Sequence, residues 1–182
     1  MIAIIDYGCG NLFSLSSSLE SLGIECRITG DKDEIAAADK IILPGVGAFG
    51  DAAKKLRECG MDKLICELAS QGKPILGICL GMQLLFDRSF EYGEHEGLGL
   101  IPGSVKPIKD VIPEGLKIPH IGWNSLQIKQ NDTLFKDIPE NSYVYFVHSY
   151  YLHAEDENDI ATVTNYGIDF HSAVGKNNIF AT

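Results

Sequence analysis

The chain has 182 residues, 45% of them hydrophobic and 22% charged, with a formal net charge of −10. That length can bury roughly 70% of its unfolded surface, enough for a core without disulfide or metal staples. Scattered Lys and Arg exclude the clustered positive charge of a nucleic-acid binder, and the lack of any run of ~20 apolar residues excludes a membrane-spanning helix.

The opening stretch, Met1–Asp6, is apolar but short and without a basic leader, so it reads as a first strand and not a signal peptide. Five cysteines (Cys9, Cys26, Cys59, Cys66, Cys79) form no C-x-x-C pair. An odd number of thiols without an export signal places the chain in a reducing cytoplasm, with no disulfide framework and no metal site.

Along the first half, short β-branched runs alternate with helical patterns. Ile2–Asp6 is continuously apolar, as in a strand buried on both faces. Asn11 can cap a helix in which Leu12, Leu15, Leu19 and Leu22 recur, ended by Gly23. Ile24–Ile28 and Lys40–Leu43 are strands on either side of a weak helix at Asp33–Ala38. Asp51–Cys59 and Met61–Ser70 are helical around Gly60, Pro74–Ile78 is a strand, and Met82–Phe86 opens a helix. This order predicts an α/β fold: a mainly parallel open sheet with helices on both faces, flavodoxin-like in plan. In the second half Val105–Ile108, Ile118–Ile121, Ser125–Ile128, Tyr143–Tyr151, Ala161–Asn165 and Phe170–Val174 are strand-like, with little helix between them. They are expected as antiparallel additions to the same sheet, giving one domain over residues 1–182.

The chemistry concentrates at strand ends, where open α/β sheets bind ligands. Gly77-Ile78-Cys79-Leu80-Gly81 has the layout of a nucleophile elbow: flanking glycines permit a sharp strand-to-helix turn that projects the central side chain. Such a turn aims the Leu80 N–H at an oxyanion, and the helix N-terminus beyond it is expected to lower the thiol pKa. A second glycine-rich turn, Pro44-Gly45-Val46-Gly47, can supply another donor. Gln83 lies one helical turn past Cys79 and can face the same pocket. Trp123, the only tryptophan, reads from its residue type as a buried anchor.

Six segments together resemble one family. They are Ile5-Asp6-Tyr7-Gly8-Cys9-Gly10-Asn11-Leu12, Leu43-Pro44-Gly45-Val46-Gly47-Ala48-Phe49, and Gly77 through Leu85. Gly97-Leu98-Gly99-Leu100-Ile101-Pro102-Gly103, Pro119-His120-Ile121-Gly122-Trp123-Asn124 and Tyr145-Phe146-Val147-His148-Ser149-Tyr150 complete the set. The chain resembles the class I, triad-type glutamine amidotransferases, and within them the glutaminase subunits of imidazole glycerol phosphate synthase. The resemblance implies a Cys79 nucleophile acting on L-glutamine, with no cofactor and no metal. It implies oxyanion donors at Val46 and Leu80, a pocket lined by Gly45, Gly47 and Gln83, and Ser149 and Tyr150 on the α-amino and carboxylate end. It also implies a heterodimer with a (β/α)8-barrel synthase subunit that receives the ammonia, with Asn11, Pro119 and Trp123 on the partner side.

The thiol needs a base. His95 and His153 read as solvated and His171 as part of a hairpin; His120 and His148 occupy family-like segments, but not the position of the family's catalytic histidine. The resemblance places the catalytic His-x-Glu directly after a strand like Asn178–Thr182, so the expectation is a chain truncated before that segment, without the final strand-turn-helix and inactive as written. Two other readings remain open from sequence alone: a glutaminase feeding a synthase of amidino-sugars in surface polysaccharides, and a non-catalytic binding subunit on the same scaffold.

Overall fold

A computed structural model describes residues 1–130 and 134–182. Its first half alternates as expected: β1 (Ile2–Ile5), α1 (Leu12–Ser21), β2 (Cys26–Thr29), α2 (Lys32–Ala37), β3 (Lys40–Leu43), α3 (Phe49–Glu58), α4 (Met61–Ser70) and β4 (Ile75–Gly77). The four strands are parallel in the order β2-β1-β3-β4. Local chemistry sets the boundaries. The Asn11 side chain accepts from Ser14 N and caps α1, Asp31 accepts from Asp33 N and Glu34 N and caps α2, and Gly60 at φ 67° turns α3 into α4. Ala3, Ile5 and Leu43 from the strands meet Phe49, Leu56 and Ile65 from the helices in one buried cluster.

The second half comprises α5 (Leu80–Leu84), β5 (Phe86–Ser89), β6 (His95–Glu96), β7 (Ile101–Pro107), β8 (His120–Ser125), β9 (Gln127–Ile128), β10 (Tyr143–His148), β11 (Tyr150–Ala154), β12 (Ile160–Asn165), β13 (Asp169–Lys176) and β14 (Ile179–Ala181). The large sheet continues from β4 through β14, β13, β11, β7, β5 and β6, with β12 on β13 and β9 on β12. β14 is parallel to β4, so a strand from the chain's end sits beside the strand that leads to Cys79.

Several expectations shift. The helix after Cys79 runs over Leu80–Leu84, not to Phe86; Phe86 instead opens β5 and pairs with Ile101, where a side chain on Gly97 would collide with the Phe86 carbonyl. The apolar run Tyr143–Tyr151 is two strands broken at Ser149, because β10 pairs with β8 while β11 pairs with β7. The strands expected at Ile118–Ile121 and Ser125–Ile128 are β8 and β9, interrupted by buried Leu126. Not all of the second half joins the main sheet: β8 and β10 form their own antiparallel ribbon, and β5 runs parallel to β7.

Candidate active site

Cys79 has φ 56° and ψ −116°, a backbone conformation that costs a non-glycine residue about 1–3 kcal/mol. Neighbouring hydrogen bonds hold it there. Cys79 N donates to Thr182 O at 2.8 Å, Thr182 N to Gly77 O at 3.0 Å, Ile78 N to Leu43 O at 3.0 Å, and Gly81 N to Ile78 O at 2.9 Å. The flanking glycines bring strand and helix close together, as expected of an elbow. The strained dihedral falls on Cys79 itself, while Gly77 and Gly81 allow close approach: a Cβ on Gly77 would lie 2.9 Å from Gly81 O, and one on Gly81 would strike the Leu43 carbonyl.

That contact presses the elbow onto the Pro44–Gly47 turn. The Tyr7 hydroxyl, buried beneath it, donates to Pro44 O at 2.9 Å. Gly45 is buried against Gly81 N, Leu80 and the Tyr7 hydroxyl, so it spaces the two turns. Val46 and Gly47 are exposed, with Gly47 at φ 97°.

A cavity of about 470 Å³ opens over the thiol. It joins Val46, Gly47, Cys79, Leu80 and Gln83 to Ser149 and Tyr150, with Pro119 at its margin. A neighbouring cavity of about 290 Å³ shares Cys79, Gln83, His148 and Tyr150 and extends to Phe170, His171 and Thr182. Asn11 caps α1 outside both cavities. Trp123 is 69% exposed, edge-on to Tyr145 at 5.7 Å, and so is not the buried anchor its residue type implied.

Two site residues were missed by sequence reasoning. Glu91, the carboxylate among the residues lining the larger cavity, accepts from Phe49 N at 2.5 Å through Oε2, and Tyr92 lies next to it. Both belong to a charged loop without periodicity, so no signal distinguished them from surface. His95, read as solvated, is half-buried: its ring packs on Gly50, where a Cβ would come within 2.8 Å.

The expected lowering of the thiol pKa is also corrected. Cys79 has solvent-accessible surface at the cavity floor, but the surrounding protein desolvates it and pushes the thiol up, outweighing the opposing Leu80 N–H. The helix beyond has only five residues and supplies little compensating dipole. Of the histidines lining these cavities, His148 has both ring nitrogens engaged, Nδ1 with Tyr150 O at 2.9 Å and Nε2 with His120 Nδ1 at 2.8 Å. The Nδ1 of His171 accepts from Ala154 N at 3.0 Å, which leaves its proton on Nε2. Neither ring offers a free basic nitrogen to the thiol. Among the described residues no three His, Cys, Asp or Glu side chains converge as metal ligands, and no helix is long and apolar enough to cross a membrane.

A thiol on a strained strand-to-helix elbow, facing a glycine-rich turn from the neighbouring parallel strand, defines an acyl-transfer hydrolase site of the amidotransferase type. The chain belongs to the glutamine amidotransferase class-I family, which matches residues 3–182. It is 52% identical over 98% of its length to "Imidazole glycerol phosphate synthase subunit HisH" of Sulfurimonas denitrificans, covering 86% of that protein. The HisH of Geobacter metallireducens is 46% identical over the whole chain, which covers 88% of it. A solved structure described as a glutamine amidotransferase superposes with a TM-score of 0.77 at 18% identity, covering the whole chain and 88% of that structure; this likeness bears on the fold.

Proposed function

We propose that the protein is the glutaminase subunit of an imidazole glycerol phosphate synthase, residues 1–182 acting as one glutamine amidotransferase domain in cytoplasmic histidine biosynthesis. The observation that carries this reading is the single cavity in which Cys79 meets Val46, Gly47, Gln83, Ser149 and Tyr150. The Cys79 thiolate attacks the side-chain amide carbon of glutamine, forming a C–S bond, and the negative charge collects on the amide oxygen facing the Leu80 and Val46 backbone N–H groups. The C–N bond then breaks as the general base returns the proton taken from the thiol to the amide nitrogen, ammonia leaves, and water hydrolyses the thioester to glutamate and frees the thiol. Gly47 and Gln83 flank the amide, while Ser149 and Tyr150 take the α end, with the Glu91 carboxylate opposite the ammonium. The family resemblance assigns the general base to a His-x-Glu pair following a strand of the β14 kind, and in this chain the end of that strand run is hydrogen-bonded to Cys79 through Thr182.

Ile121, Trp123, Tyr145 and Val147 present an exposed apolar face on the β8–β10 ribbon. By the family resemblance this face, with Pro119 and Asn11, belongs to the side that receives the (β/α)8-barrel subunit and delivers ammonia to it for the synthase's lyase chemistry. Relatives at 46–52% identity bear the histidine-pathway name, which favours this reading over the polysaccharide glutaminase and the binding-only subunit. Glutamate release should be measured with the protein expressed from its own gene and its synthase partner. Turnover that requires the partner and is abolished by Cys79→Ala is expected; turnover that survives Cys79→Ala overturns the proposal.

A further inference from the structure

His120 and His148 form the last cross-strand pair of the β8–β10 ribbon. Their side chains lie on the face opposite the exposed Ile121 and Trp123. His120 is 3% exposed, stacked on Tyr166 at a centroid distance of 3.9 Å and on Phe146 at 5.0 Å.

The polar contacts around the pair admit one arrangement of protons. The Tyr150 carbonyl can only accept, so His148 Nδ1 carries a hydrogen and donates to it at 2.9 Å. The Nε2 of neutral His148 must then accept from His120 Nδ1–H at 2.8 Å. That leaves His120 Nε2 as an acceptor, and the Asn124 amide stands 3.4 Å from it, also donating to Asn165 O at 2.9 Å. Both rings are neutral Nδ1–H tautomers, and a second proton on His148 would set two N–H groups against each other. Burial, which disfavours the imidazolium form of both rings, agrees with this arrangement.

The chain of contacts ends on the backbone at Tyr150, whose two flanking peptides are each held separately. Ser149 O accepts from Ile108 N at 2.9 Å, which fixes the Ser149–Tyr150 plane; Tyr150 O, held by His148, fixes the Tyr150–Tyr151 plane. Because the first peptide is trans, the Tyr150 N–H points opposite to Ser149 O, away from β7. β13 does not cover that edge, since it pairs with β11 only at Leu152↔His171. The Tyr151↔Lys106 pair of the β11–β7 ladder holds the other side of the Tyr150–Tyr151 peptide, and His148 adds the hold on its carbonyl, on the side away from β7.

We infer that His148, oriented by His120, is a positioning residue that locks the Tyr150 backbone in the conformation that grips the α end of glutamine. The inference deepens the proposed function and rests on its placement of Ser149 and Tyr150 at that end. It assigns the pair to substrate selectivity and not to proton transfer at Cys79.

The test measures calorimetric dissociation constants for glutamine and for 4-carbamoylbutanoate, the same amide without an α-amino group, in a Cys79→Ala background that prevents turnover. The wild-type pocket should favour glutamine. His148→Ala should weaken glutamine at least tenfold and the analogue much less, collapsing the selectivity ratio. His148→Asn, whose amide nitrogen can take the place of Nδ1, should recover glutamine affinity to within threefold of the parent. His120→Asn should cost threefold or more while the protein stays folded, which keeps the test open if His148→Ala does not fold. A selectivity ratio unchanged within twofold in His148→Ala, no recovery in His148→Asn, or no effect of His120→Asn would overturn the inference. If the parent itself fails to discriminate the two ligands, the placement of Ser149 and Tyr150 is wrong and the inference falls with it.

Discussion

Gly81 lies so close to Leu43 that a side-chain carbon at position 81 would collide with the Leu43 carbonyl. Through this contact the nucleophile's turn and the turn carrying Val46 pack as one unit. Gly81→Ala forces the start of α5 away from the end of β3 and should cost about 3 kcal/mol or more, lowering the midpoint of thermal unfolding by roughly 6–12 °C. Gly47→Ala should be milder, since nothing lies within 4 Å of the added carbon and only the strain at φ 97° opposes it, about 1 kcal/mol. Differential scanning calorimetry of the two variants measures the contrast.

The buried Tyr7 hydroxyl is the one side-chain hydrogen bond found beneath the Pro44–Gly47 turn among the described residues. Tyr7→Phe leaves the Pro44 carbonyl without this donor and should cost about 1–3 kcal/mol. Because it loosens the turn that carries Val46, glutamine-analogue labelling of Cys79 should slow more than alkylation by iodoacetamide, which does not use that turn. Equal slowing of both reactions would mean that Tyr7 only supports the core.

The parallel half of the fold was legible because its strands β1, β3 and β4 are short apolar runs and its elements are punctuated by a cap, a glycine or a proline, so period and boundary agree at Asn11, Gly60 and Pro74. The elbow was legible for the same reason: Gly77 and Gly81 mark a close approach of backbones. The second half was harder to read because an apolar run carries no record of its partner. Tyr143–Tyr151 reads as one strand, yet its two ends bond to β8 and β7, a choice made by tertiary pairing. Glu91 was invisible because its role comes from a loop folding over the cavity and not from any spacing along the chain.

The histidine pair should make stability pH-dependent with a defined sign. Burial and the neighbouring His148 push His120 down to about 4, while an unfolded chain protonates histidine near 6.5. Between these values the unfolded state binds more protons, so the pair's contribution is fully present above about 6.5 and is lost as pH falls toward 4. Urea midpoints from pH 7 to 4.5 should fall more steeply in the parent than in His120→Asn. Parallel profiles would show that the pair is not neutral in the folded protein.

The thiol has its own pH signature. Burial raises the Cys79 pKa, so without an adjacent base its thiolate forms only above the ordinary cysteine range. Iodoacetamide alkylation of Cys79 in a variant cut to residues 1–182, which is without the proposed His-x-Glu base, should still be rising with pH at 9. A plateau below pH 7 would require an activating base that the described histidines do not supply.

The most direct test of the central claim is to map the cysteine modified by an electrophilic glutamine analogue. Five thiols are free, and Cys59 is exposed like Cys79, so Cys59 serves as an internal control for mere accessibility. Peptide mass mapping should find the adduct on Cys79 alone, with excess glutamine suppressing it. Equal modification of Cys59, or Cys79 labelling that glutamine does not suppress, would contradict the assignment of Cys79 as the nucleophile of a glutamine site.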